Sequence, residues 1–290
     1  MATATGNPTK VQRNRDASTR SKSSAADSKR RLLVEPDING PRVRLGVLWF
    51  LLAMAAVTSG RVWIALLCSG VSAVAGYQLT RLWNSQRKAP KRSKGSAKNA
   101  PDPGNGLVLA TVISGTLPLL AGYSTGATGL GFIVAPFLVI AMHTVRGGNF
   151  SAAVPTLIGS LLPPIGAVSI VLAVRFNLWA GLFLVVAVSL YDAGSFLHGA
   201  ESSSRWEGPA AGIIGVMAAT FTMAVFHPNP LTPVSAAISG VIIAITCPLG
   251  QMLASRFLPR PDAKARGLRR LDAYLVAGPL FYVAVVIMMG

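Results

Sequence analysis

Apolar runs of near 20 residues recur along most of this chain, and they constrain its fold more than any other feature. They fall at about residues 45–59, 61–79, 106–124, 127–144, 151–173, 176–193, 209–226, 231–252 and 272–289. Such a run matches the bilayer core when wound as a helix, and it is too apolar for an amphipathic surface helix. With 51% hydrophobic and only 13% charged residues, there is no room for two soluble globular domains. A soluble enzyme, a disulfide scaffold and a secreted domain are all excluded. The expectation is an all-α, polytopic integral membrane protein of about nine transmembrane helices.

The organisation follows from what lies between the runs. Residues 1–44 are mostly Ser, Thr, Ala, Lys and Arg, with almost nothing to bury, and read as a disordered basic tail on the cytoplasmic side. The first apolar run begins too late for a signal peptide. Residues 45–79 read as a transmembrane hairpin turning at Ser59, Gly60 and Arg61. A basic linker at 80–105, rich in Lys, Ser, Pro and Gly, precedes a seven-span membrane domain at 106–290.

Net charge is +17, from 27 basic and 10 acidic residues, and 23 of the basic ones lie in three polar segments. No nucleic-acid motif and no interleaving of aromatic with basic residues accompanies them, so no nucleic-acid partner is expected. Lys and Arg instead collect beside anionic headgroups on the cytoplasmic side. With nine spans and the N-terminus inside, 25 basic residues are internal and only Arg61 and Arg175 external. The expected location is the cell (inner or plasma) membrane, with anionic lipids as partners.

Prolines interrupt several runs: Pro118, Pro136, Pro155, Pro163, Pro164 and Pro248. Ordinary kinks account for them; a polar cavity near Leu162, Pro163 and Pro164 is the sharper alternative, and would suit a transporter. No internal repeat supports that function. Cys68 and Cys247 lie in different runs without metal spacing and read as packing residues. His143, His198 and His227, at interfaces or in a loop, need no role. Trp49, Trp63, Trp83 and Trp179 read as interface anchors.

The acids carry the chemistry. Asp16, Asp27, Glu35, Asp37 and Asp102 sit in the tail and linker. The other five, Asp192, Glu201, Glu207, Asp262 and Asp272, fall in the last 100 residues, in loops or at their membrane borders. An Asp at the end of a span is costly to desolvate and usually has a partner or a task. Carboxylates gathered on one face beside many cations suit a metal-assisted phosphoryl-type reaction, in which carboxylate oxygens hold Mg²⁺ and Arg or Lys neutralises phosphate. Loop acids balancing nearby arginines are the plain alternative.

The order of the residues adds a resemblance. Asp192-Ala193-Gly194-Ser195-Phe196 is followed by Ser204-Arg205-Trp206-Glu207-Gly208 and by Gly212 and Gly215. Then come Pro248-Leu249-Gly250-Gln251-Met252, with Ser255-Arg256, Pro261-Asp262 and Arg269-Arg270-Leu271-Asp272. Over about residues 185–285 this resembles the C-terminal half of the phosphatidate cytidylyltransferase (CDP-diacylglycerol synthase) family, with Trp206-Glu207-Gly208 after Asp192 as its best piece. The resemblance implies transfer from CTP to phosphatidate, giving CDP-diacylglycerol and pyrophosphate, with Mg²⁺ as cofactor; it leaves room for a homodimer. It casts Asp192 and Asp272 as catalytic carboxylates and Asp262 and Asp272 as metal ligands. Arg205, Arg256 and Arg270 would bind phosphates, while Trp206, Glu207 and Gly208 would shape the nucleotide or lipid pocket.

The departures from that pattern are specific. Cys247-Pro248-Leu249 stands where the family has Gly-Asp-Leu, and Gln251-Met252 where it has Glu-Ser. Pro261-Asp262 replaces Lys-Asp, the Pro-Gly-His-Gly-Gly turn is missing, and Arg269 replaces the first acid of the closing Asp-Arg-x-Asp. Each lost carboxylate weakens metal binding, and a cation at 269 tends to repel a metal while favouring an anionic headgroup. A non-catalytic membrane scaffold of the same fold, binding anionic lipid or a protein partner, therefore stands beside the enzyme as an expectation, with a transporter third.

Overall fold

The structure is a computed structural model, and it describes residues 42–87, 103–147, 150–199, 206–259 and 265–289. These form nine α-helices and one short 3₁₀ turn: α1 (Arg42–Thr58), α2 (Arg61–Arg87), α3 (Pro103–Tyr123), α4 (Thr125–Val145) and α5 (Phe150–Phe176). Then follow α6 (Leu178–Gly199), α7 (Glu207–Phe226), α8 (Pro233–Phe257), the turn Leu268–Arg270 and α9 (Tyr274–Met289). Each apolar run became one helix. Seven of them, α2 to α8, are long and apolar enough to cross a membrane, while α1 and α9 are shorter apolar helices. The chain is an all-helical, polytopic membrane protein. The expected tail over residues 1–41 and the core of the linker, residues 88–102, lie outside the described residues, as do Glu201, Arg205 and Asp262.

Tight connections set the alternation of the helices. Gly60 turns the chain between α1 and α2 at φ 106°, a left-handed conformation that glycine adopts without a Cβ penalty. Ser124 caps α4 by accepting from the Ala127 N–H. Asn177 receives the N–H groups of Trp179 and Ala180 at the start of α6. Thr232 and Ser235 form a reciprocal capping box on α8 with Pro233 in its first turn. Each of these satisfies backbone donors that a helix start leaves unpaired.

Helix α5 is the centre of the bundle. Most of its length is buried, whereas α4 and α7 turn most of their surface outward, as lipid-facing helices do. Pro155, Pro163 and Pro164 are all buried within it, and the helix runs unbroken through them. At Leu162, Pro163 and Pro164, where a polar cavity was the sharper alternative to ordinary kinks, the helix is continuous and the three residues are buried. Small residues bring α2, α3 and α5 into close contact. Ser69 donates to the Gly115 carbonyl at 2.7 Å, Ser72 and Ser114 share a buried 2.8 Å bond, and a Cβ at Gly76 would stand 2.7 Å from the Gly159 carbonyl. Close approach through small and hydroxyl residues is how helices associate where lipid removes the hydrophobic driving force. Phe183 and Phe281 join α6 to α9 edge to face, their centroids 5.9 Å apart.

Three helices outlast their apolar runs. Helix α2 continues to Arg87, beyond the expected end at residue 79. Trp83 there donates to the Phe257 carbonyl at 2.9 Å and Gln86 to the Pro259 carbonyl at 3.2 Å. Through these bonds and its contacts with α3 and α5, α2 packs into the bundle. Helix α8 reaches Phe257 and α6 reaches Gly199, so Asp192 lies within a helix, not at its end. Hydrogen bonds between distant segments gather the end of α2, the end of α8, the segment before α9 and the end of α6 at one end of the bundle.

Candidate active site

Two glycines let the chain between α8 and α9 fold back into the bundle. A Cβ at Gly250 on α8 would stand 2.5 Å from the Asp272 carbonyl oxygen, and one at Gly166 on α5 would stand 3.1 Å from that of Leu271. The 271–274 segment is thus held between α5 and α8. Farther back, the Gly267 N–H donates to Gln78 Oε1 on α2 at 3.0 Å, and Leu268 and Leu271 are fully buried. This packing carries the Asp272 side chain inward; the residue is only 4% exposed.

There it meets Asp192. Glycines again set the approach: Gly194 lies against the backbone of Ala211, Gly212 against the Tyr191 ring and Gly215 against the Leu190 carbonyl. These contacts seat α7 on α6 and fix the face that α6 turns to α8 and the 272 segment. Gln251, one residue beyond Gly250, donates its amide Nε2–H to Asp192 Oδ1 at 3.1 Å. The Asp192 and Asp272 carboxyls are close enough to repel one another.

Two guanidinium groups oppose that pair. Arg269 Nη1 lies 3.6 Å from Asp272 Oδ2. Arg270 interacts with both carboxylates, and its Nη1 stands 3.6 Å from where a Cβ of Gly46 on α1 would lie. The group is therefore two acids against two cations. Burial pushes the Asp272 carboxyl up to about 6, against the opposing pull of Arg269, the Ala273 N–H and Arg270. Desolvation disfavours the charged form more than its partners favour it. Burial also pulls the Arg270 guanidinium down from its ordinary value, while the two aspartates act the other way; an arginine stays charged regardless.

Of the residues picked out from sequence, Asp192, Asp272 and Arg270 are brought together. Trp206 and Glu207 are exposed at the start of α7, whereas Gly208 is buried. The register of α7 on α6 places Glu207 about a helical turn beyond the level of Asp192. Arg256 is exposed near the end of α8, five residues past Gln251. Arg205 and Asp262 lie outside the described residues. Sequence reasoning passed over Gln251, Arg269, Gly250 and Tyr191 as site residues. A glutamine at the end of an apolar run was the available signal, since a polar group there is costly unless it is bonded. The Tyr191 side chain is wholly buried and its hydroxyl has no hydrogen-bond partner among the described residues.

No three His, Cys, Asp or Glu side chains among the described residues form a metal cluster. The donor set suits a single Mg²⁺. That ion typically takes one or two carboxylates, keeps several waters and completes its shell with substrate phosphates. Asp192 and Asp272 are hard oxygen donors of that kind that interact electrostatically, although Arg269 and Arg270 already oppose their charge.

A bundle of apolar helices, with a carboxylate–guanidinium cluster enclosed at one end, defines a polytopic membrane protein that carries a polar site. The chain belongs to the cytidylyltransferase family, whose model matches residues 41–260. That agrees with the resemblance seen in the C-terminal half. The matched segment contains Asp192, Gly250 and Gln251 but ends before Asp262, Arg269, Arg270 and Asp272. No curated protein matches the chain.

Proposed function

We propose that this protein is a membrane phosphatidate cytidylyltransferase that joins CTP to phosphatidate, giving CDP-diacylglycerol and pyrophosphate. One observation carries the reading beyond family membership. Asp192 and Asp272, 80 residues apart in sequence, meet under Arg269 and Arg270 at one end of the bundle. In this reaction a phosphate oxygen of phosphatidate attacks the α-phosphorus of CTP. The new P–O bond forms as the bond from that phosphorus to the bridging oxygen breaks, and pyrophosphate leaves with those electrons.

Both reactants are anions, so the barrier is largely electrostatic. Mg²⁺ bound with the nucleotide would supply Lewis-acid charge neutralisation. Asp192 and Asp272 would hold it, with Asp262 a further candidate ligand, and Gln251 orients Asp192 for that task. Arg270 binds phosphate oxygens, with Arg205 and Arg256 as candidates for the same role. Trp206, Glu207 and Gly208 border the nucleotide or lipid pocket. Placing the N-terminus inside puts this end of the bundle on the cytoplasmic side of the cell membrane, where CTP is available. The 25-to-2 division of basic residues supports that orientation.

A non-catalytic scaffold that binds anionic lipid is the second reading. It is favoured by the Arg269–Asp272 pair, which occupies a carboxylate the reaction would need. The deciding experiment follows CDP-diacylglycerol formation by purified protein from labelled CTP and phosphatidate, with and without Mg²⁺. Turnover that requires Mg²⁺ and is lost in both Asp192→Asn and Asp272→Asn is expected. No turnover, in micelles where a known enzyme of this activity works, would leave the scaffold.

A further inference from the structure

We propose that Arg269 is a phosphate-binding residue of this site, with Nη2 as the donor that takes the phosphate oxygen. The inference rests on the reading above that the site handles phosphates, and adds a residue to which that reading gave no role.

The geometry is specific to this side chain. Nη1 faces Asp272 at 3.6 Å, a loose contact that holds the guanidinium plane in place. Nη2 is fully enclosed and has no hydrogen-bond partner among the described residues. A buried donor on a charged group is costly to leave unpaired, and native structures rarely do so without a reason. The side chain as a whole keeps 28% of its surface exposed, although Nη2 itself is enclosed.

The surroundings select an anion for that position. Arg270 stands next in the chain and Arg266 is exposed three residues earlier, so the segment carries further positive charge. A carboxylate of the protein already occupies the other edge of the Arg269 fork. What remains is one edge of a planar donor set, which matches the spaced oxygens of a phosphate better than a single acceptor. The ligand is a phosphate group: either the phosphomonoester of phosphatidate or the polyphosphate of CTP.

The test is equilibrium binding to the full chain in detergent micelles, in EDTA so that no metal contributes. Phosphatidate, CTP and pyrophosphate are titrated separately, with phosphatidylcholine as the uncharged-headgroup control. Arg269→Gln should weaken at least one phosphate ligand tenfold or more. Arg269→Lys, which keeps the charge but loses the fork, should recover only part of that loss. A loss confined to phosphatidate assigns Nη2 to the lipid; a loss confined to CTP and pyrophosphate assigns it to the nucleotide. In wild-type protein the same ligand should shield Arg269 from phenylglyoxal, read by mass spectrometry, so the result does not depend on the variants folding. Equal affinities in folded wild type and Arg269→Gln, or no shielding at Arg269, would overturn the proposal. Arg269-dependent binding without turnover would remove the enzymatic reading and leave this site. Turnover with Arg269-independent binding would do the reverse.

Discussion

Gln251 on α8 holds the carboxylate of Asp192 on α6 through a 3.1 Å hydrogen bond that spans 59 residues of sequence. Its amide neutralises nothing, so it fixes the carboxylate's direction without adding charge beside Asp272. Replacing it tests both properties. Gln251→Leu leaves a partly buried carboxylate without this donor and should cost on the order of 1 to 3 kcal/mol. Gln251→Glu instead sets a like charge against Asp192. In EDTA that variant should melt below wild type, and added Mg²⁺ should raise its midpoint more than that of wild type. Equal midpoints in EDTA would mean the Gln251–Asp192 contact does not shape the cluster.

Gly250 is the position that admits the Asp272 segment. A Cβ there would stand 2.5 Å from the Asp272 carbonyl and 2.9 Å from that of Ala273, backbone atoms that cannot swing away. Gly250→Ala should therefore cost about 1 to 3 kcal/mol, in the range of overpacking, and abolish turnover by shifting Asp272. Gly70, in the interior of α2, has nothing within 4 Å of such a Cβ. Gly70→Ala should be neutral or stabilising by up to about 1 kcal/mol, as alanine favours helix. Thermal melts of the two variants, with turnover measured alongside, check the contrast.

The helices were legible because membrane burial leaves its mark residue by residue: each apolar run became a helix. Their ends were not. Trp83 and Gln86 extend α2 through bonds to carbonyls of Phe257 and Pro259, partners more than 170 residues away that no local pattern reveals. Asp192 and Asp272 stood out because a carboxylate beside apolar sequence is costly. Their company did not. From sequence, Gln251 was only a lost glutamate and Arg269 a cation that repels a metal and favours an anionic headgroup. In the fold Gln251 orients Asp192, and Arg269 pairs with Asp272 while keeping one nitrogen unbonded.

Tyr191 precedes Asp192, is fully buried, and has a hydroxyl with no hydrogen-bond partner among the described residues. Its ring packs on Gly212, so the apolar body contributes to the α6–α7 contact while the hydroxyl only loses solvation. Tyr191→Phe keeps the ring and removes that penalty. It should be neutral or stabilising, by about 1 to 2 kcal/mol at most, with turnover unchanged. A clear loss of stability would mean that an internal water satisfies the hydroxyl. Tyr191→Ala, by contrast, opens a cavity and should cost about 3 to 5 kcal/mol.

Asp272 predicts the direction in which stability changes with pH. Burial raises its carboxyl to about 6 in the folded protein, against about 3.9 in an unfolded chain. Between those values the folded state holds the proton more tightly. The stabilising contribution is therefore complete below about pH 4, falls as pH rises, and is gone above about pH 6. The difference corresponds to an order of 2 to 3 kcal/mol. In EDTA, wild-type protein should lose thermal stability across that window more steeply than Asp272→Asn, which has no proton to give up at this position. Mg²⁺ should flatten the wild-type curve, because a bound cation favours the ionised carboxylate. Parallel curves for the two proteins from pH 4 to 7 would mean that the Arg269 and Arg270 cations offset the burial of Asp272 more fully than this geometry implies.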